Sequence, residues 1–285
     1  MNVLATLRPP GDAWNELGDV EVGKLAPRDD VDVLIVANEP VDLDWFPALR
    51  LIANYSVGYD RIDIEACRRR GVAVSNTPGV LDAAVADLTI GLLLAVRRRI
   101  VEGDAAVRAG RWGQGWSATP FLGREIGGSV LGIVGYGRIG KAVARRAAGF
   151  DLQVIYTRAT PLEELLAQAD IVSLHVPLNA ETTGLISRER LALLRDGATL
   201  LNTARGAVVD EDALVDELGS GRISAGLDVF VHEPHVPERL RDLPNVVLTP
   251  HIASATVETR AAMTRVVVDN VLAFERGDPL PSPVT

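Results

Sequence analysis

The sequence predicts an α/β protein built on parallel sheets, and three observations carry that prediction. Short apolar runs bounded by turn residues recur along the chain, the pattern of strands buried on both faces. Segments of helical period alternate with them. At 285 residues, with 47% hydrophobic and 24% charged content, the chain has a sizeable core and the length of two ordinary domains or one large α/β unit.

The predicted strands are, in order, 31–38 (VDVLIVAN), 49–56 (LRLIANYS), 72–76 (VAVSN), 129–137 (SVLGIVGYG), 153–157 (QVIYT), 171–177 (IVSLHVP), 198–204 (ATLLNTA), 224–230 (SAGLDVF) and 245–251 (NVVLTPH). Each is short and mostly aliphatic. Helices are predicted over 82–100, 139–149, 187–195 and 210–218, with Ser187 and Asp210 as N-caps and Gly197 just beyond the third. The segment 110–128 (GRWGQGWSATPFLGREIGG) is the long irregular connection, of a length at which loops often serve function.

Charge and residue usage narrow the chemistry. A net charge of -9 repels nucleic acid and anionic membranes. The opening MNVLATLRPP lacks a basic stretch leading into an apolar run, and apolar stretches such as 88–96 fall short of a membrane span. A soluble, cytoplasmic protein is expected, with neither nucleic acid nor membrane as partner. Cys67 is the single cysteine, which excludes an internal disulfide and a thiolate metal cluster. Four histidines (His175, His232, His235, His251) and two lysines (Lys24, Lys141) leave few candidates for acid–base or Schiff-base work.

Gly135-Tyr136-Gly137-Arg138-Ile139-Gly140 follows the strand LGIV and opens the helix KAVARRAAGF. In that context the first glycine allows a tight turn, the second lets backbone approach a pyrophosphate, and the third lets helix and strand pack closely. Gly135 to Lys141 also fits the phosphate loop of NTPases, but the Ser or Thr that would hold magnesium is replaced by Ala142. In the dinucleotide fold an acidic residue after the second strand takes the ribose hydroxyls of NAD. Here that strand runs into Thr157-Arg158-Ala159-Thr160. A guanidinium and two hydroxyls suit a 2'-phosphate, so NADP is expected in preference to NAD.

Three later segments end predicted strands, where open parallel sheets bind ligands. They are Asn202-Thr203-Ala204-Arg205-Gly206, Gly226-Leu-Asp228 through Glu233-Pro234, and Pro250-His251 through Thr256. Chemically they offer a cation for an anionic substrate, a carboxylate, and a histidine that the carboxylate could hold protonated. The plainer alternatives are an Arg205 paired with Asp210 or Glu211, and a surface metal site at His232, Glu233 and His235.

With the glycine loop, these segments resemble the D-isomer-specific 2-hydroxyacid dehydrogenase family. The resemblance runs over nearly the whole chain, through Asn54-Tyr-Ser-Val-Gly58-Tyr-Asp60, Asn76-Thr-Pro78-Gly79-Val80, His175-Val-Pro177 and Val208-Val-Asp210-Glu211. Within the family it looks most like the glyoxylate/hydroxypyruvate reductase branch, on 54–60, Gly115-Trp116-Ser-Ala-Thr-Pro120 and Leu122-Gly123. It implies that Arg205 grips the substrate carboxylate and carbonyl, that His251 donates the proton, and that Glu233 orients and charges it. The N–H groups of Val57 and Gly58 would hold the carboxylate, and Asp228 would contact the nicotinamide amide. The implied cofactor site comprises Gly135, Gly137, Arg138, Ile139, Gly140, Thr157, Arg158, His175, Val176, Pro177, Thr203, Ala204, Arg205, Asp228 and His251, with His175 structural or contacting the cofactor through its backbone. No metal is expected.

The resemblance also implies two Rossmann-like, doubly wound domains. The cofactor domain, 82–256, is inserted into a flavodoxin-like substrate domain formed by 1–81 and 257–285, and the two close over the substrate. Helix 82–100 and the loop after it would build a homodimer contact that accounts for Trp112 and Trp116; burial in the core is the alternative. One departure stands out. The span 158–162 lacks a helix-and-strand pair, which predicts a six-stranded cofactor sheet (129–135, 153–157, 171–176, 198–203, 224–229 and 246–249) with its outermost strand lost and the adenine side more open. The expected activity is NAD(P)H-dependent reduction of a small 2-keto acid, glyoxylate or hydroxypyruvate, to the D-2-hydroxy acid. Two alternatives stay open: a D-3-phosphoglycerate dehydrogenase without a regulatory domain, for which Arg61 is the first cation near the 54–60 loop, and a non-catalytic, cofactor-sensing corepressor-like protein, whose usual long tail is not seen after Pro283-Val-Thr285.

Overall fold

Two wholly parallel sheets organise the chain, as the aliphatic runs require. The computed structural model describes residues 1–113 and 115–285. They fall into two units, Met1–Leu81 with Ser254–Thr285, and Asp82–Ala253. The second crossing lies at 253/254.

In the first unit, β1 (Val3–Ala5), β2 (Glu21–Val22), β3 (Val33–Val36), β4 (Leu51–Asn54) and β5 (Ala73–Ser75) take the order β2-β1-β3-β4-β5. β3 and β4 are buried along their whole length, so neither shows an in–out alternation. Leu34, Val36, Phe46, Ile52 and Val74 form the core. The sequence patterns do not predict β1 and β2: a three-residue VLA soon followed by Pro9-Pro10, and a two-residue exposed edge, carry no periodic signal. Helix α1 (Ile64–Arg70) starts on an Asp63 cap and stops at Gly71, whose φ of 70° only glycine adopts freely. The last helix, α9 (Val257–Arg276), is fastened by the Tyr55 hydroxyl, which donates to the Arg260 carbonyl at 2.9 Å.

The second unit carries β6 (Val130–Val134), β7 (Gln153–Tyr156), β8 (Ile171–Leu174), β9 (Thr199–Asn202), β10 (Ser224–Leu227) and β11 (Val246–Leu248) in the order β11-β10-β9-β8-β6-β7. This is the six-stranded sheet expected from the sequence. β7 is its edge because residues 157–161 lead directly into α5 (Leu162–Gln168) and leave no room for another helix and strand. Helices cover both faces. α2 (Asp82–Arg97) and α4 (Arg138–Ala147) bury Ile90, Leu93, Val143 and Ala147 against one. α5, α6 (Arg188–Ala192) and α7 (Glu211–Gly219) bury Leu165, Leu191 and Leu214 against the other, and α8 (Glu238–Arg241) precedes β11.

The helical pattern over 82–100 resolves into two helices, α2 and α3 (Ile100–Arg108), because Arg99 at φ 52° breaks the run. Between 109 and 129 no helix or strand occurs among the described residues, and Gln114 of that segment lies outside them. Trp112 and Trp116 are 57% and 85% exposed, so core burial does not account for them. No helix among the described residues is long and apolar enough to cross a membrane. Among them, no group of three or more His, Cys, Asp and Glu side chains is placed to hold a metal ion.

Candidate active site

β9, β10 and β11 lie side by side in the second sheet, and each is followed by a loop bearing one reactive group. Asn202 ends β9 as a buried polar residue. Its Oδ1 accepts the Ala204 N–H at 3.0 Å and its Nδ2 donates to the Arg205 carbonyl at 2.9 Å, so one side chain shapes the turn that presents Arg205. Thr203 is held by a 3.1 Å hydroxyl contact with Thr89 of α2. Gly206 lies against the backbone of Phe230 and Val231, where a Cβ would meet Phe230 O at 2.5 Å. That close approach joins the Arg205 loop to the turn carrying Glu233.

Glu233 and His251 form a hydrogen-bonded pair. Glu233 Oε2 lies 2.7 Å from His251 Nδ1, and Glu233 Oε1 accepts the Phe230 N–H at 3.0 Å. Burial opposes ionisation of Glu233, but the hydrogen bond from His251, the Phe230 amide and the charges of His251 and Arg205 outweigh it and hold the carboxyl below its usual range. An ionised carboxylate only accepts, so Nδ1 carries the imidazole proton toward it and Nε2 is left for chemistry. His251 adopts φ 52°, a left-handed conformation uncommon for a side-chain-bearing residue.

Asp228 stabilises that conformation. Fully buried, it accepts the Thr249 hydroxyl at 2.6 Å and the Ile252 N–H at 2.8 Å on Oδ1, and the Ala253 N–H at 2.8 Å on Oδ2, while its carbonyl accepts the His251 N–H at 2.9 Å. Besides the nicotinamide contact that the resemblance implies for it, this carboxylate organises the loop on either side of the histidine.

The glycine loop joins β6 to α4. Gly135 has φ 96°, and a Cβ on it would strike the His175 carbonyl oxygen at 2.5 Å and Val176 at 2.9 Å, so the ends of β6 and β8 touch through a glycine. A Cβ on Gly140 would fall within contact of the Gly135 carbonyl. At Gly137, by contrast, a Cβ would find open space, and no side chain caps α4 there. Uncapped N–H groups facing open space fit a pyrophosphate, so this loop suits a dinucleotide. Arg138, in the first turn of α4, lies 3.4 Å from Asp82, and Ile139 packs among the core residues under the helix.

Thr157 accepts the Gly135 N–H at 3.1 Å, which pins the loop and leaves the hydroxyl proton to donate. Arg158 is exposed, and no hydrogen bond or ion pair commits it to another described residue. The His175 ring contacts Ser173 at 2.8 Å, and burial pushes its pKa down to about 4, so it is neutral at pH 7 and unsuited to proton donation. Val176 and exposed Pro177 continue from it along the edge of the loop.

In the first unit, the turn after β4 carries Val57 and Gly58. Asn54, fully buried, donates through Nδ2 to the Ser56 carbonyl at 3.3 Å and the Gly58 carbonyl at 2.8 Å, and Asn76 donates to the Val57 carbonyl at 2.8 Å. With those carbonyls tied back, the half-buried N–H groups of Val57 and Gly58 have no acceptor among the described residues. Two adjacent free donors fit a carboxylate. Sequence reading assigns no role to Asn54, Asn202 or Thr249 and weighs Glu211 only as an ion-pair partner of Arg205, although a polar residue closing an apolar strand marks the first two.

Comparison with known proteins identifies the family. A family model described as the NAD binding domain of D-isomer specific 2-hydroxyacid dehydrogenases matches residues 90–253. A glyoxylate reductase of Pyrococcus furiosus is 47% identical over 290 residues, covering 94% of this chain and 86% of the relative. One from Thermococcus litoralis is 49% identical over 271 residues, covering 87% and 82%. Among solved structures, a protein from Thermus thermophilus superposes with a TM-score of 0.93 at 46% identity over the whole of both chains. An NADPH-dependent glyoxylate/hydroxypyruvate reductase of Sinorhizobium meliloti, solved with NADP and malonate, has a TM-score of 0.87 at 36% identity, covering 100% of this chain and 96% of its own. The chain therefore belongs to the D-isomer specific 2-hydroxyacid dehydrogenase family.

Proposed function

We propose that this protein reduces a small 2-keto acid, glyoxylate or hydroxypyruvate, to the D-2-hydroxy acid with a nicotinamide cofactor. The observation that carries the reading is the Glu233–His251 pair beside the Arg205 loop, on the same sheet as an uncapped glycine loop. The nicotinamide, when bound, supplies the hydride. Arg205 pairs with the substrate carboxylate and offsets charge on the carbonyl oxygen as it becomes an alkoxide. His251 delivers its Nε2 proton to that oxygen, and Glu233 keeps the ring oriented through the 2.7 Å contact at Nδ1. The N–H groups of Val57 and Gly58 hold the substrate carboxylate. Asp82–Ala253 is then the cofactor domain and the remaining unit the substrate domain.

Gly135, Gly137, Arg138, Ile139 and Gly140 hold the pyrophosphate in this reading, and Thr157 and Arg158 the adenosine ribose. His175, Val176, Pro177, Thr203 and Ala204 line the rest of the cofactor site. NADP is favoured over NAD because uncommitted Arg158 stands where a carboxylate would repel a 2'-phosphate. With the outermost strand missing, the adenine side is more open than is usual for the fold. The chain works as a cytoplasmic homodimer through α3 and the loop after it, where Ile100, Val101, Val107, Trp112, Trp116 and Leu122 are exposed. Steady-state rates with NADPH and NADH against glyoxylate, hydroxypyruvate, pyruvate and, in reverse, D-glycerate and 3-phosphoglycerate test the proposal. Preferred turnover of the two small keto acids is expected, and faster oxidation of 3-phosphoglycerate than of D-glycerate overturns the substrate assignment.

A further inference from the structure

We infer that Glu211 is a positioning residue for the Glu233–His251 pair, an inference that rests on the reduction proposed above. Glu211 is the first residue of α7, but that helix does not need it as a cap: Asp210 accepts the Ala213 N–H at 3.0 Å and fills that role. The Glu211 carboxylate reaches instead to a turn twenty residues on, where Oε1 accepts the Val231 N–H at 3.0 Å. The neighbouring amide, Phe230 N–H, donates to Glu233 Oε1, and Glu233 Oε2 holds His251. Two consecutive amides of one turn are thus divided between two carboxylates, one anchoring the turn to α7 and one reaching the histidine.

The turn needs that anchor. Residues 231–235 are exposed, and among the described residues the backbone hydrogen bond that ties them to one another is the His235 N–H donating to the His232 carbonyl. On its inner side Gly206 supplies a flat floor with no side chain to grip the turn. Together with the buried Phe230 side chain and the Gly206 contact, the Glu211 hydrogen bond sets the depth at which Glu233 sits above the Arg205 loop. A catalytic carboxylate displaced by a fraction of an ångström still binds protons but no longer fixes its histidine.

Glu211→Asp and Glu211→Gln separate this role from simple charge. Asp keeps the negative charge favourable at a helix N-terminus but shortens the reach, whereas Gln keeps the reach and an acceptor oxygen without the charge. Ring 15N shifts of histidine-labelled protein, with His251 assigned by its loss in His251→Gln, report which nitrogen carries the proton. At a pH where the ring is neutral, wild type and Glu211→Gln are expected to show the Nδ1–H form, and both turn over glyoxylate with kcat within about twofold of each other, whereas Glu211→Asp shows a mixture of tautomers and about tenfold lower kcat with KM little changed. Unchanged His251 shifts and kcat in Glu211→Asp, or a Glu211→Gln protein that fails in the same way, overturns the inference. The ring shifts need no turnover, so a wild type inactive toward every keto acid, with shifts that move only in Glu211→Asp, overturns the reductase assignment and upholds the positioning role.

Discussion

Replacing Gly206 with alanine adds a single methyl group between the two loops that build the site. Gly206 follows Arg205 directly, and its Cβ would lie 2.5 Å from Phe230 O and closer still to Phe230 C and Val231 N. All three are backbone atoms, so no side-chain rotation relieves the overlap. The shortest of these approaches is 2.1 Å, to Phe230 C, and ordinary contact begins near 3.4 Å, which forces the Arg205 loop and the Glu233 turn apart by about 1.3 Å. Overpacking of this kind costs about 1–3 kcal/mol of stability. For the reaction, a displacement near 1 Å is worth about 10²-fold in rate, or about 2.7 kcal/mol of transition-state stabilisation. The assay is kcat for glyoxylate with NADPH, alongside thermal unfolding and fluorescence titration of NADPH. A kcat lower by about 10²-fold in a folded protein is expected, with cofactor affinity changed less, because the glycine loop that would hold the pyrophosphate sits on β6, separated from β9 by β8, and only the Thr203–Ala204 edge of the cofactor site moves with the Arg205 loop. A kcat close to wild type would refute the claim that this contact sets the catalytic geometry.

Three further outcomes test other parts of the site. His251→Gln is expected to lower kcat by about 10²- to 10⁴-fold with NADPH binding nearly unchanged, since general acid catalysis carries that much; a normal turnover rate would move the proton donor elsewhere. Arg158→Asp is expected to reverse cofactor preference, lowering kcat/KM with NADPH and raising the ratio toward NADH, and a wild type at least as efficient with NADH counts against the 2'-phosphate role. His175, held neutral with a pKa of about 4 in the folded chain, takes up its proton on unfolding below the ordinary imidazole pKa. Stability is therefore lost as pH falls from about 6.5 toward 4, by at most about 3 kcal/mol. Urea unfolding at pH 7 and pH 4.5 should show a smaller loss for His175→Asn than for wild type, and equal losses would show that the ring is not desolvated as the structure indicates.

The parts of this protein legible in its sequence are those whose signal is local. Aliphatic runs such as VLIV at 33–36 identify central parallel strands because such strands are buried on both faces. Ser187 and Asp210 identify helix starts because capping acts within one turn. The glycine loop is readable because three glycines at fixed spacing answer to steric demands inside one strand-turn-helix unit. Where the signal weakens, reading fails: β1 and β2 are too short to show a period, and the break at Arg99 depends on one residue adopting a left-handed conformation that its identity does not announce.

The site itself divides along the same line. Arg205, Glu233 and His251 are identifiable from residue type and motif, each just beyond a strand that the sequence marks. What holds them in register is not. The Asp228 contacts to Thr249, Ile252 and Ala253, the closeness of Gly206 to Phe230, and the reach of Glu211 to Val231 join residues about 20 to 25 positions apart. Such contacts exist only once β9, β10 and β11 lie side by side. Residue type determines which chemistry is available; the sheet order, set by burial of strands distant in sequence, decides which groups meet, because hydrogen bonds and excluded volume act over a few ångströms.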